Sequence, residues 1–387
     1  MSSHKSLSLP VCLIVALLLR LVFIFIGFPA LQHRWNLRED GDGYGFIAET
    51  IREGHYADLT RGPVYPVFVA VAGSRAAVKL LQALLDTGTC WLVWWLASTI
   101  MKRRGGVGAT IAAWLWAIYP FAIWRVAFIN KEVVLTFLLA SYLCVQVLTL
   151  RDGKFWQWLV AGGLLGLVNL CKPTFLPWPL VILAFAFLHR IPLIRVGGLI
   201  AAMVLIVVPW TLRNYRLSGG EFLPVATERG GVTTFIGNYQ PTLGLWEGPG
   251  KVRWMAEVEE IENRYAGASV VELDHAFYSA AFQQMISHPG KALEIFVRKC
   301  GRFWFQSAAR REQLVSFVIQ AGYLALLGIG LWRVRPWGIE TTLMMTLILY
   351  IMFVHASSYA DLRFSLPVMP VVCALAAAAW KASDTRA

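Results

Sequence analysis

The sequence predicts an all-α polytopic membrane protein, and three observations carry that reading. Hydrophobic residues make up 57% of the 387-residue chain and charged residues only 15%. Several uninterrupted apolar runs reach the roughly 20 residues that a helix needs to cross a bilayer. Between the runs, short loops hold an excess of Lys and Arg, as the cytoplasmic loops of membrane proteins do. A water-soluble chain with 17 Trp and so few charges would expose large apolar patches and associate.

Hydropathy places about ten spans, near 10–29, 77–100, 106–123, 133–150, 156–171, 175–189, 196–212, 312–332, 338–355 and 364–381. The first run, Pro10–Pro29, has no small-residue cleavage site and contains Arg20, so it reads as a retained helix rather than a signal peptide. With the N-terminus inside, Lys102-Arg103-Arg104, Arg151 and Lys154, Arg190 and Arg195, Arg333 and Arg335, and Lys381 and Arg386 fall in the cytoplasm. The opposite face receives two larger segments, 30–76 and 213–311. The chain divides accordingly into an N-terminal transmembrane module (1–212), an outer-face loop and helical region (213–311) and C-terminal transmembrane helices (312–387).

Tyr44, Ile47, Ala48 and Ile51 recur at helical spacing and predict a short amphipathic helix over 43–53, lying along the interface. Pro63–Gly73 is apolar but too short to span, which predicts a re-entrant or interfacial element. The second segment opens Gly/Pro-rich and then predicts amphipathic helices around 251–265, 270–287 and 290–305, broken at His288-Pro289-Gly290. The six Cys fall mostly inside apolar runs without CxxC spacing, so they read as buried thiols rather than a zinc site or disulfide framework. No P-loop or dinucleotide fingerprint is present, and nothing points to nucleic acid.

Two features ask for chemistry. The loop Arg38-Glu39-Asp40-Gly41-Asp42-Gly43-Tyr44 places a carboxylate cluster at the mouth of a membrane protein, where it is expensive unless it reacts or binds. Basic residues, among them Arg61, Arg125, Lys131, Lys172, Arg213, Arg302, Arg310, Arg311 and Arg363, fall on the outer face against the orientation bias. The planar fork of Arg suits phosphate oxygens, so an anionic lipid-phosphate ligand is expected; interfacial snorkelling is the plainer reading of the same residues. Lys79 and Asp86 share one face of a membrane helix and have no assigned role.

The motifs, in order, resemble the GT-C membrane glycosyltransferases. Asp40-x3-Tyr44-x2-Ile47-Ala48, Gly54 and Arg61-Gly62-Pro63-Val64-Tyr65-Pro66 are similar to that family's first outer loop. The nearest likeness is to the bacterial branch related to protein O-mannosyltransferases and lipid A aminoarabinose transferases (glycosyltransferase family 39-like). Asn130-Lys131-Glu132, Lys172-Pro173, Pro209-Trp210-Thr211-Leu212-Arg213-Asn214-Tyr215, Gly230-Gly231 to Gly237-Asn238 and Arg363-Phe364-x2-Pro367-x2-Pro370 follow in register. The chain departs from the pattern where the acid that commonly follows the first Asp is Gly41, with Asp42 displaced by one. It also lacks a large soluble C-terminal domain, so acceptor recognition does not carry over.

The resemblance implies a GT-C-like bundle of about ten spans. It also implies transfer of a sugar from a polyprenyl-phosphate donor to an envelope lipid, glycan or protein acceptor, at the outer face of the cytoplasmic membrane. Such a reaction needs a carboxylate to take the acceptor's proton and cations to hold the departing phosphate. Asp40 is the first candidate for the base, because Asp42 better suits N-capping of helix 43–53. Asp42 is its substitute. Glu132 is a second acid that orients the acceptor, or else a favourable charge at a helix N-terminus. Arg213 and Arg363 lead for the phosphate, followed by Arg61, Lys172 and His355. Tyr44, Tyr65, Trp210, Asn238 and Tyr239 are the candidate substrate contacts, with an aromatic belt as the alternative for the rings. No cofactor is required, and Mg²⁺ or Mn²⁺ at Glu39, Asp40 and Asp42 stays open. The rivals are a transporter or flippase for lipid-linked saccharides and a non-catalytic envelope-assembly scaffold.

Overall fold

A computed structural model describes residues 8–101, 106–247, 251–306 and 313–380. The basic residues Lys102–Arg104, Arg310, Arg311, Lys381 and Arg386 lie outside the described residues. The helices are α1 (Leu9–Trp35), α2 (Tyr44–Arg52), α3 (Val64–Ala72), α4 (Arg75–Ile100), α5 (Val107–Ala117) and α6 (Pro120–Arg125). They continue as α7 (Glu132–Asp152), α8 (Phe155–Cys171), α9 (Trp178–Leu188), α10 (Leu193–Leu217) and α11 (Gly230–Gly237). The last are α12 (Lys251–Arg264), α13 (Val270–Ser287), α14 (Pro289–Phe305), α15 (Gln313–Arg333), α16 (Ile339–Ser357) and α17 (Leu362–Trp380). No strand occurs among the described residues.

The expected apolar spans are all helical, but among the described residues only seven helices are long and apolar enough to cross a membrane: α1, α4, α7, α10, α15, α16 and α17. The others are shortened by proline chemistry. The span expected over 106–123 breaks after Ala117 and restarts as α6 at Pro120, whose ring cannot continue a helix hydrogen bond. The span expected over 175–189 is α9, preceded by a 3₁₀ turn at Pro173–Phe175. Helix α17 is the centre of the bundle, with 83% of its apolar window buried. It packs against α4, α5, α15 and α16.

Small residues set the closest approaches, as expected where helices pack by van der Waals contact in lipid. A methyl group at Gly162 on α8 would sit 2.1 Å from the Leu199 carbonyl oxygen of α10, and one at Gly330 on α15 would sit 2.1 Å from the Leu375 carbonyl oxygen of α17. The intramembrane charges also acquire partners. Asp86 on α4 pairs with fully buried Arg20 on α1, which also donates to the carbonyls of Ala16 and Ala117, each at 2.9 Å. Lys79 instead ion-pairs with Glu39 at 3.1 Å. Asp86→Leu leaves Arg20 an uncompensated buried charge and should cost roughly 3–5 kcal/mol, most of it recovered in the Arg20→Met/Asp86→Leu double variant. Unfolding of the purified protein in detergent reads both.

Candidate active site

Alternation of the membrane helices brings the loop before α2, the loop before α7, the α8 end, segment 218–229 and the start of α17 to one end of the bundle, and specific bonds lock them together. The Ile129 N–H donates to the Glu39 carbonyl at 2.9 Å. The Thr227 and Glu228 N–H groups donate to the carbonyls of Leu59 and Thr60, each at 3.1 Å. Glu228 and Arg229 both adopt left-handed backbone, φ +52° and +53°, which is costly for non-glycine residues and persists where surrounding contacts over-determine it. The Glu228 carboxylate accepts from the Lys131 ammonium and from the Gly62 N–H. Gly62 lies so close to the α8 end that a methyl there would stand 2.3 Å from the Leu170 carbonyl oxygen. This close approach sets Arg61 beside the helix end that carries Lys172. Gly62→Ala should therefore force the first loop away from the α8 end and cost roughly 1–3 kcal/mol, as unfolding of the purified variant in detergent would read.

The cap of α2 does not come from the acid expected to supply it. Asp40, not Asp42, caps α2: its carboxylate accepts from the Tyr44 N–H at 2.9 Å and the Gly45 N–H at 2.7 Å. Gly43 occupies the N-cap position at φ +75° and offers no side chain, so the carboxylate three residues upstream reaches back to the exposed amides. The Asp42 carboxylate accepts no hydrogen bond among the described residues, although its backbone carbonyl accepts from Arg61 at 3.4 Å. Glu39 is spent on Lys79, so Glu39, Asp40 and Asp42 do not converge as a metal-binding triad. Among the described residues no three His, Cys, Asp or Glu side chains gather around one point. Glu132 opens α7, is 6% exposed, and leaves its Oε2 without a partner. The charges that act on it are Arg125, Arg363, Lys131 and Lys172.

The basic residues expected on the outer face sort into two groups. Arg52 caps α3 by donating to the Ala70 carbonyl at 2.9 Å and the Val69 carbonyl at 3.0 Å. Arg302 donates to the Leu243 carbonyl at 2.7 Å. Arg213, a leading phosphate candidate from sequence, belongs with these. It lies over the rings of Trp210 (4.1 Å) and Tyr56 (4.7 Å) and donates to the Tyr56 and Asp58 carbonyls, holding the first loop onto α10. The second group is Arg61, Arg125, Lys172 and Arg363, none of which has a carboxylate within ion-pairing distance among the described residues. Arg363 lies over Phe364, and Lys172 over the same ring at 4.3 Å. Burial, then the Lys131 ammonium, push Lys172 down to about 7. Its Nζ is 3.3 Å from Nε2 of His355. The His355 Nδ1 faces the Tyr359 carbonyl, which can only accept, so the ring proton belongs on Nδ1 and the Nε2 lone pair faces Lys172.

Over this arrangement of helices and loops the chain matches solved structures of the Archaeoglobus fulgidus oligosaccharyltransferase. One is AglB in complex with an inhibitory peptide and a dolichol-phosphate, with TM-score 0.57 and 15% identity over 98% of this chain and 50% of that one. Another is the apo form, with TM-score 0.55 and 17% identity over 97% of this chain and 51% of that one. The chain has the GT-C fold. It spans about half the length of these oligosaccharyltransferases. No protein-family model and no curated protein sequence matches it.

Within the GT-C frame the sequence-predicted substrate contacts turn inward. Tyr44 is 2% exposed, meets Tyr65 edge-on at 4.6 Å and lies beneath Arg61. Burial, then the Glu228 and Asp42 carboxylates, hold its phenol far above the usual range, so it stays a neutral hydrogen-bond donor at the centre of the cluster. Tyr65 donates to Gln82 at 2.8 Å, and the Trp210 indole donates to the Val225 carbonyl at 2.9 Å. Asn238 donates to the carbonyls of Thr234 and Ser357. Tyr239 bonds Glu257 on the wall of a separate cleft of about 610 Å³ between α11, α12 and α13. Sequence reasoning missed Glu228 and Asp361. Asp361 is buried, which pushes its carboxyl up, and it accepts from the Arg363 N–H at 2.9 Å. Its place two residues before Arg363 in the motif was the available signal.

Proposed function

We propose that this protein is a membrane glycosyltransferase that moves a sugar from a polyprenyl-phosphate donor to an envelope lipid, glycan or protein acceptor. One observation carries the reading: Lys172, Arg363 and Arg125 act on Glu132 and Arg61 reaches the Asp42 carbonyl, and none of the four forms an ion pair among the described residues. Partly buried cations without partners are costly and mark the place of an anion. A lipid phosphate fits their forked and ammonium donors. The AglB structure with a dolichol-phosphate supports a lipid phosphate on this fold.

In this reading Asp42 takes the proton of the acceptor as its oxygen or nitrogen attacks the anomeric carbon. The bond to the lipid phosphate breaks from the opposite face, which inverts the configuration. Arg363, Lys172 and Arg61 take up the departing charge in a site partly shielded from water, where preorganised donors act most strongly. Glu132 lies in the field of Arg125 and Arg363, and its Oε2 is the atom that would accept from the acceptor. Because Glu39 and Asp40 are already committed, no step is assigned to a metal.

The basic loops at the far end of the bundle, with Arg151, Lys154, Arg190 and Arg195, support a cytoplasmic-membrane orientation with the site facing the exterior. A cysteine placed at exposed Glu53 should then react with a membrane-impermeant maleimide in intact cells. Arg363→Ala should weaken binding of a polyprenyl phosphodiester by about 10–100-fold, the worth of a lost charge-assisted hydrogen bond. Unchanged affinity, read on the purified protein, would remove the phosphate site and the proposed function with it.

A further inference from the structure

Lys299 is the only one of the basic residues on α14 to face the interior. It is 0% exposed and lies one turn from buried Ile295 and one from buried Phe303. Its Nζ donates to two neutral oxygens, Oδ1 of Asn238 at 2.9 Å and the Ser358 carbonyl at 2.8 Å. No carboxylate pairs with it among the described residues. The charged and titratable groups that act on it are Arg302 and Cys300 of its own helix. A methionine would fill the space without the cost of desolvating an ammonium, so the site retains the charge for what it holds.

What it holds is a junction of three elements. The Asn238 amide donates to the Ser357 carbonyl at 3.0 Å, and the hydroxyls of Thr234 and Ser358 lie 2.7 Å apart. A methyl at Gly237 would stand 2.1 Å from the Ser358 carbonyl oxygen, and one at Gly244 would stand 2.1 Å from the Gly237 carbonyl oxygen. The end of α11 and the turn after α16 are therefore in backbone contact, and the Lys299 side chain ties the middle of α14 to both. The next residue in that turn is Tyr359, whose carbonyl faces Nδ1 of His355. The His355 ring lies parallel to Phe364, 4.3 Å between centroids and 9° between planes, and presents Nε2 to Lys172.

We propose that Lys299 is a positioning residue of the phosphate site: it clamps the Ser357–Tyr359 turn, the turn fixes the His355 ring, and His355 holds Lys172 toward the donor. Helix α14 is in this way coupled to the membrane-end cations through one buried ammonium. Lys172 itself answers to Lys131, Glu132, Glu228 and Arg363 as well as His355, so its titration reports on the whole cluster. The inference rests on the phosphate-binding reading above for its consequence, but its geometry can be read independently of ligand.

The test compares wild type, Lys299→Met and Lys299→Arg as full-length protein in detergent. The probe is a farnesyl methyl phosphodiester, whose single negative charge does not titrate, and the His355 ring is followed by ¹⁵N NMR. Lys299→Met should lower affinity at pH 6.5 about tenfold. It should also raise the pH midpoint of binding by about one unit as Lys172 loses its enclosed setting. The His355 signals should change from a single Nδ1–H tautomer to an averaged pair. Lys299→Arg should restore part of the affinity and the tautomer. Thr234→Val, which removes the hydroxyl contacts to Ser358 and Tyr278 and leaves Lys299 in place, should move both readouts in the same direction by less, and it serves if Lys299→Met does not fold. Wild-type affinity, midpoint and His355 signals in a folded neutral variant would overturn the proposal whatever the thermal stability. If wild-type protein binds no phosphodiester, the phosphate site falls, and the His355 signals alone still decide whether Lys299 positions the ring.

Discussion

Asp42→Asn should lower sugar-transfer turnover by about 10²–10⁴-fold, the usual worth of a positioned proton acceptor, with lipid-phosphate affinity almost unchanged. The substitution keeps the shape of the side chain and removes the lone pair that takes the proton. The Asp42 carboxylate accepts no hydrogen bond among the described residues, so little folding energy is lost with it. Asp40→Asn acts through a different link. It weakens the two amide contacts that start α2 and should cost about 1 kcal/mol of local stability, with a smaller fall in turnover. The pair of variants separates the two acids, with single-turnover rates and phosphodiester titrations as the readouts. A full loss in Asp40→Asn beside an active Asp42→Asn would return the base to Asp40 and make its cap a resting arrangement. A transporter or scaffold would show neither pattern, because no turnover would depend on either carboxylate.

The reversal of these two residues shows which links are legible in sequence. Apolar periodicity dictates helices by itself, so the short helix over 44–52 and the three amphipathic helices of 251–305 lie close to where it predicts them, and the apolar run 63–73, too short to span, forms the short helix 64–72. The cap does not follow from adjacency. A glycine in left-handed backbone took the N-cap position, and the loop then folded an earlier carboxylate onto the amides. Arg213 is engaged with the first loop for a related reason. Its neighbours Trp210 and Tyr56 give it aromatic faces, and the carbonyls of the first loop give its fork acceptors, none of which spacing reveals. Glu228 enters the site only through pairing with residues far away in sequence. Lys299 did carry a local signal, since it interrupts the buried stripe of Ile295 and Phe303 at a spacing of four. It was hidden by the exposed Arg298 and by Arg302 on either side.

The second large effect is on pH. Lys172 has its ordinary lysine value of 10.5 lowered to about 7 when no donor is bound. A bound phosphodiester favours the ammonium, so the complex holds a proton that the free protein loses above about 7. Donor affinity should therefore be greatest below pH 7 and fall by up to about tenfold per unit above it, the limit for one linked proton. Lys172→Met should bind weakly and lose this slope. Lys172→Arg stays charged and should also lose it, at a higher affinity. Stability without donor runs the other way. Between about 7 and 10.5 the unfolded chain binds more protons at this residue than the folded protein, so stability should rise with pH across that window. Lys299, also lowered to about 7 by burial, adds to the same trend. Thermal unfolding with and without phosphodiester thus has two opposed pH dependences to display. The stability trend should shrink in either lysine variant, whereas removal of the affinity trend requires loss of Lys172. A wild-type affinity that is flat from pH 6 to 9 would mean that Lys172 does not face the phosphate, and that Arg363, Arg125 and Arg61 hold it without the lysine.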